Sequence, residues 1–94
     1  MSEGPVVDSI DIAGFEYEVR YSQDLADEGL MERILLLQQV IELRPSMSPK
    51  IEFRALLHEF SHGLLWHAGI KEHDERVLDV ISTGFASIMR FEEE

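Results

Sequence analysis

The pattern of apolar and polar residues changes along the chain, from alternation in the first half to helical spacing in the second. Residues 15–21 alternate apolar with charged side chains, which is typical of a strand with one buried face. Ala13 and Gly14 can turn residues 10–12 back against this strand. The polar stretch over residues 22–29 predicts a loop connection.

Residues 30–43 carry two competing signals. Their leucines, methionine, glutamate and glutamines are good helix formers, and several apolar residues keep helical spacing. However, residues 40–43 run directly into Arg44 and Pro45, which is typical of a strand that ends at a turn. We therefore predict two strands in this segment.

Two helices are predicted in the second half of the chain. Ser48 is followed by Pro49, and this pair favours a helix start because the hydroxyl caps free N–H groups and proline suits the first helical position. With a glycine as its stop signal, the first helix is predicted over residues 48–68. The second is predicted over residues 74–91, with acidic residues in its first turn, where the helix dipole favours them.

These elements predict a single α+β domain over residues 1–94, in which a small antiparallel sheet of three or four strands packs on two C-terminal helices. Residues 1–9 are expected to form a loose lead-in, and residues 10–43 to be mainly β. The length is near the lower limit for a single core, but 45% of the residues are hydrophobic, so we expect the chain to fold.

Charge and composition exclude several classes of function. The net charge is −11, which disfavours nucleic acid and anionic membranes as partners, because their phosphates would be repelled. Cysteine is absent, so disulfides, cysteine-bound zinc and a thiol nucleophile are excluded. The first residues lack the features of a signal peptide, and the apolar runs are too short to span a bilayer. We expect a soluble, cytoplasmic domain.

The chemistry of the chain is concentrated in the sequence His-Glu-Phe-Ser-His at residues 58–62. On a helix, His58 and His62 lie one turn apart and can direct a ring nitrogen each at one tetrahedral Zn²⁺. Glu59 lies between them and can reach a water at the metal as a general base. Most of the apolar residues of this helix fall on roughly the opposite half, so the histidines lie off the main core face.

A catalytic zinc site requires a third protein ligand and an open position. If the chain doubles back after the first helix, Glu75 falls near His62 and Asp79 nearer His58. We favour Glu75 as the third ligand over Asp79, which would instead accept the other N–H of His58 and fix its tautomer. The less favoured ligands on this segment are His73 and Asp74.

Other residues on the first helix are weaker candidates. His67 lies about 180° round the helix from His58 and is expected to point away from the metal. Leu65 and Ala68 occupy the positions at which metzincins carry a glycine and a third histidine, which excludes that class. Trp66 is a candidate for substrate contact and Ser61 a weaker one.

The segment "VIELRPSMSPKIEFRALLHEFSHGLLWHAGI", followed by "DERVLDVISTGF", resembles small gluzincin-like metallopeptidases of phages and prophages, which are loosely related to the ImmA/IrrE peptidases. The resemblance covers roughly residues 40–88. It implies a minimal zincin-like fold, with a small antiparallel sheet on two helices and one zinc between the helices. It also implies roles for four residues: ligands His58, His62 and Glu75, and general base Glu59.

The resemblance further implies a zinc-dependent peptidase that hydrolyses peptide bonds in a peptide or protein substrate. In zincin-like folds an extended substrate adds to the edge strand above the metal, and the strand of residues 40–43 is the candidate. Val40 and Glu42 are therefore expected to bind substrate, together with Trp66. Arg76 or Arg90 could stabilise the oxyanion, and a protein partner could complete the cleft.

Two other interpretations stay open at the level of sequence. The first is a zincin-fold metal-binding or regulatory module that contacts other proteins and has little or no peptidase activity. The second is an α+β domain that binds no metal, in which the two histidines are incidental on a helix face. Zinc content separates the second from the others, and replacement of Glu59 separates the peptidase from the module.

Overall fold

The computed structural model describes residues 7–88, which form a four-stranded sheet, a short helix and two longer helices. The α+β class, the four strands and the two C-terminal helices confirm the prediction. The first six residues of the predicted lead-in, and the predicted continuation of the second helix beyond residue 88, lie outside the described residues. In chain order the elements are β1 (Ser9–Ile12), β2 (Phe15–Tyr21), α1 (Gln23–Asp27), β3 (Glu32–Leu35), β4 (Val40–Leu43), α2 (Pro49–His67) and α3 (Glu75–Ser87).

The sheet is mixed, whereas the prediction made it antiparallel. Its strand order is β1-β2-β4-β3, and the β1–β2 and β3–β4 pairs are antiparallel hairpins. The central pair, β2 with β4, is parallel. Residues 22–31 carry the chain past the position of β4 to the far edge, so the strand that returns from that edge runs in the direction of β2.

The segment predicted as a polar loop contains helix α1. Leu25 is fully buried, and this single apolar anchor among polar residues holds one turn of helix against the body of the protein. The backbone turns sharply at Gly29, where φ is +74°, a conformation that glycine adopts without strain. The composition of the segment concealed the helix because five residues are too few to show a helical period.

The core lies between the sheet and α2. Alternate residues of β2 and β4 face the helix, as the period of a half-buried strand requires. Gly63 allows α2 to approach closely, because a Cβ atom there would lie 3.0 Å from Ile12 Cδ1 and 3.3 Å from Ile34 Cδ1. The buried cluster consists of Ile12, Tyr17, Val19, Ile41, Leu43, Ala55 and Leu56.

Two tyrosines of β2 fix both ends of α2. Near its beginning, Tyr21 Oη donates to Glu52 Oε1 at 2.7 Å, and burial together with this carboxylate raises the pKa of Tyr21 to about 12. Near its end, Tyr17 Oη and His67 Nε2 are 2.7 Å apart, and Phe15 stacks on the same imidazole with ring centroids 4.3 Å apart. His67 is thus engaged with the sheet, on the side of the helix predicted for it.

Helices α2 and α3 form an antiparallel pair. Gly69, with φ +83°, ends α2, and Ile70 N donates back to Leu65 O at 2.9 Å. Asp74 then caps α3 by accepting from two backbone N–H groups of its first turn. The residues of α3 that are buried are Leu78, Ser82 and Ala86. None of the helices in residues 7–88 is both long enough and apolar enough to cross a membrane.

Candidate metal centre

His58, His62 and Glu75 converge at the opening between α2 and α3. Glu75 Oε1 lies 3.0 Å from His58 Nε2, and Glu75 Oε2 lies 3.1 Å from His62 Nε2. One ligand atom from each residue lies within 4.8 Å of the others. Tetrahedral zinc with bonds of 2.0–2.1 Å holds its ligand atoms about 3.3 Å apart. The distances from Glu75 to the two histidines are close to this value, so the three residues could together hold a metal ion.

The electrostatics of the cluster also suit a cation. Burial lowers the pKa of His62, although the nearby Glu75 opposes this effect. Burial acts to raise the pKa of Glu75, but its interactions with His62 and His58 outweigh burial and lower that pKa. At neutral pH the cluster thus tends towards a neutral imidazole and an ionised carboxylate, the forms that bind metal ions.

Asp79 lies beside His58, on the side predicted for it. His58 Nδ1 is 3.4 Å from Asp79 Oδ1, and this buried nitrogen has no hydrogen-bond partner among residues 7–88. A ring that carries its proton on Nδ1 leaves the lone pair of Nε2 free to bind a cation held together with Glu75. The contact is close enough for Asp79 to favour this tautomer, but it is not a formed hydrogen bond.

Glu59 is buried in α2, close enough to Glu32 at the beginning of β3 for the two carboxylates to interact. Its exposed fraction is 7%, and burial, reinforced by the neighbouring carboxylates of Glu32 and Glu75, raises its pKa to about 8. A carboxyl group poised near neutrality can exchange a proton with a reacting group. Of the residues that a peptidase would need, Glu59 is thus the one whose surroundings are most unusual for its type.

Glu32, at the beginning of β3, is a residue near the site that the sequence prediction missed. Burial is the main reason that its pKa is raised, while His58 and Arg54 act to lower it. It helps to line a cavity of about 330 Å³ beside His58, Glu75 and Asp79. No local motif marks Glu32, because its place at the site depends on how β3 packs against α2.

The predicted substrate residues do not lie together at the site. Strand β4 is paired on both sides, by β2 and β3, so the prediction of β4 as the edge strand is wrong. Val40 and Glu42 alternate with the core residues Ile41 and Leu43, and therefore point away from α2. Trp66 is exposed on α2, one turn beyond His62. In the described part of the chain, the edge strand next to the site is β3.

The weaker candidates have other roles or stay unassigned. Asp74 Oδ1 accepts from Arg76 N at 3.0 Å as a helix cap, so it is not one of the clustered donors. Ser61 Oγ donates to Leu57 O at 2.9 Å within its own helix. The side chain of Arg76 is exposed in the first turn of α3, and Arg90 lies outside the described residues.

A second cavity, of about 500 Å³, lies between α2 and α3 on a different face from the metal ligands. Its walls are almost entirely apolar, and its two serine hydroxyls already donate to helix carbonyls. It therefore offers shape and apolar surface but no free group for chemistry. Its lining residues are Leu57, Phe60, Ser61, Leu64, Leu65, Leu78, Ile81, Ser82 and Phe85.

Comparison of the chain with protein-family models, with curated proteins and with solved structures gives no match. The resemblance to gluzincin-like peptidases therefore stays an expectation from the motif. Function is therefore inferred from the motif together with the geometry of the site.

Proposed function

We propose that the protein is a minimal zinc-dependent metallopeptidase that binds one zinc ion per chain. His58, His62 and Glu75 would be the ligands, and Glu59 the general base. The observation that carries this proposal is the convergence of two Nε2 atoms on one carboxylate, 3.0 and 3.1 Å from its oxygens, beside a buried glutamate.

The zinc ion and Glu59 would divide the chemistry between them. Held by His58, His62 and Glu75, Zn²⁺ would supply a Lewis acid that brings the ionisation of water towards neutral pH. Glu59 would take a proton from the attacking water and later deliver it to the leaving amine. Burial raises the pKa of Glu59 to about 8, which favours delivery of the proton, and a cation bound beside it would favour the ionised form that accepts the proton.

An extended peptide substrate would bind along β3. This strand is the sheet edge beside the site, and the cavity next to His58 opens at its first residues. An edge strand offers unpaired backbone groups to which a peptide can add as a further strand. The proposal includes a partner protein that completes this shallow cleft, and a cytoplasmic location, with which the lack of cysteine is compatible.

The second candidate function is a zinc-binding module that contacts other proteins and has little turnover. The observation that favours it is that α3 exposes four large apolar side chains, which a protein partner could cover. The exposed apolar residues of this helix are Val77, Val80, Ile81 and Phe85.

Zinc content is the first measurement. We expect one zinc per chain after dialysis, measured by elemental analysis, in the wild-type protein. Glu75→Ala should lose most of it, whereas Asp79→Ala, a matched removal of a nearby acid, should keep it at reduced affinity. Wild-type protein that stays free of zinc when purified with zinc present would overturn both proposed functions and leave the histidines as an incidental helix face.

Glu59→Gln then separates the peptidase from the binding module. The amide keeps the shape of the side chain but cannot act as a base, so we expect zinc to be retained and cleavage of a mixed peptide library to fall by about 10²-fold or more. If the wild-type protein binds zinc but cleaves no peptide, or if Glu59→Gln cleaves as well as wild type, the peptidase proposal is wrong and the module is favoured.

A further inference from the structure

The loop between α2 and α3 places a third imidazole against the metal-ligand cluster. His73 Nδ1 lies 2.6 Å from His62 Nδ1, and the two ring centroids are 4.9 Å apart. On its other side, His73 Nε2 lies 2.8 Å from Ile70 O. His73 therefore lies between the backbone of its own loop and the edge of the His62 ring that carries Nδ1, which points away from Glu75.

The chemistry of these atoms decides which nitrogen donates in the contact between His73 and His62. A backbone carbonyl can only accept, so His73 Nε2 must be the donor to Ile70 O. A neutral His73 then has its lone pair on Nδ1 and accepts there from His62 Nδ1–H. The carboxylate of Glu75 can also only accept, so it competes for the proton of His62 until a cation binds Nε2 and leaves that proton on Nδ1.

We propose that His73 is a positioning residue that locks His62 in the tautomer and orientation required of a metal ligand. Two hydrogen bonds, from His73 to the Ile70 carbonyl and from His62 to His73, would hold the His62 ring by its Nδ1 and leave Nε2 for the metal. This proposal rests on the proposed metal site, because the cation at Nε2 leaves the proton of His62 on Nδ1, where His73 accepts it.

The distances argue against His73 as a direct ligand. Its Nδ1 faces Nδ1 of His62, whereas the donor atoms that cluster with Glu75 include His62 Nε2. A separation of 2.6 Å is a hydrogen-bond length and is shorter than the roughly 3.3 Å between two ligands of one tetrahedral zinc. His58 has no comparable partner for its Nδ1 among residues 7–88, so His62 is the better-held of the two histidines.

The direct test is the tautomeric state of the histidines in the protein loaded with zinc. Long-range ¹H–¹⁵N spectra at about pH 8, where histidine is ordinarily neutral, report which ring nitrogen carries the proton. We expect His62 to carry its proton on Nδ1 and His73 on Nε2. In His73→Leu, the Nδ1 proton of His62 should lose its acceptor and exchange with water faster than in wild type. A His62 that carries its proton on Nε2 in the zinc-loaded wild-type protein, or an Nδ1 proton that exchanges equally fast in both proteins, would overturn the proposal.

Zinc affinity, measured by competition with a chelating dye, supplies the second test. Loss of an outer hydrogen-bond partner costs about 10–100-fold in metal affinity, and we expect His73→Leu to fall in this range. His73→Asn should recover part of the loss, because its Oδ1 can accept near the position of Nδ1. Glu72→Leu, a change at an exposed neighbour in the same loop, is the matched control and should bind like wild type.

These outcomes separate the two proposals. If His73→Leu binds zinc as tightly as wild type, or if His73→Asn recovers none of the lost affinity, His73 does not position His62. The proposed zinc site is unaffected by either result. If wild-type protein binds no zinc, the proposed function fails, and the positioning role of His73 fails with it. Peptidase activity enters neither measurement.

Discussion

At the scale of single residues, Glu42 shows how neighbours decide what a carboxylate does. Arg33 Nη2 and Arg20 Nη2 donate to its two oxygens at 2.6 and 3.2 Å, on the face of the sheet away from α2. Burial acts to raise the pKa of Glu42, but the hydrogen bonds from both arginines outweigh it and lower that pKa. The sequence predicts that Glu42 binds substrate. In the structure, Glu42 connects β2, β4 and β3 through these two arginines, on the face of the sheet away from α2.

This network predicts acid-sensitive stability. Because the folded-state pKa of Glu42 lies below the ordinary value of 4.5, the unfolded chain binds the proton first, and stability falls as the pH drops below that value. Glu42→Gln should reduce the free energy of unfolding at about pH 7 by about 1–3 kcal/mol and flatten the decline in acid. Urea unfolding with a chelator present measures both.

The control for Glu42 is Glu16→Gln, a change at an exposed position of β2 on the same face. It should change neither the stability at neutral pH nor the slope in acid. An acid decline of equal size in wild type and Glu42→Gln would assign the effect to other carboxylates.

At the scale of elements, α2 is the part of the fold that the sequence predicts best. Its cap, Ser48, accepts from Ile51 N, and its end at His67 differs from the prediction by one residue. Both signals are local in sequence, as is the spacing of the two histidines. The strand order was not predictable in the same way, because the β2–β4 pairing depends on where α1 carries the chain.

The close approach of α2 to the sheet predicts opposite effects for two glycine substitutions. Gly63→Ala gains helix propensity, but the new methyl group meets Ile12 and Ile34 at 3.0–3.3 Å, so we expect a net loss of about 1 kcal/mol in stability. Gly84→Ala meets nothing within 4 Å on α3 and should gain about 0.5–1 kcal/mol.

Thermal unfolding of both glycine variants with a chelator present compares them directly. Equal stabilisation by the two changes would show that a side chain at position 63 fits between α2 and the sheet without cost. The comparison also controls for propensity, since both positions lie within helices.

At the scale of the whole molecule, the part of the site that lies within one helix could be predicted from the spacing of its residues. His58, Glu59 and His62 share one helix, and Glu75 required only that the chain reverse after Gly69. The place of Glu32 at the site and the contact of His73 with His62 were not predictable, because each depends on packing between segments that no local pattern joins. The edge strand was misassigned for the same reason: pairing on both sides of β4 cannot be read from the sequence of β4.

The parallel pairing of β2 with β4 affects the order of events during folding. Each hairpin forms when a short turn closes. The β2–β4 pairing, which places Glu18 opposite Val40, requires a longer loop to close and should therefore form later. Since α2 packs on the completed sheet, we expect uptake of zinc to follow the slowest refolding phase. Stopped-flow measurements with a zinc dye and the fluorescence of Trp66, the single tryptophan, test this order. Capture of the ion ahead of that phase would identify the α2–α3 hairpin as a unit that assembles by itself.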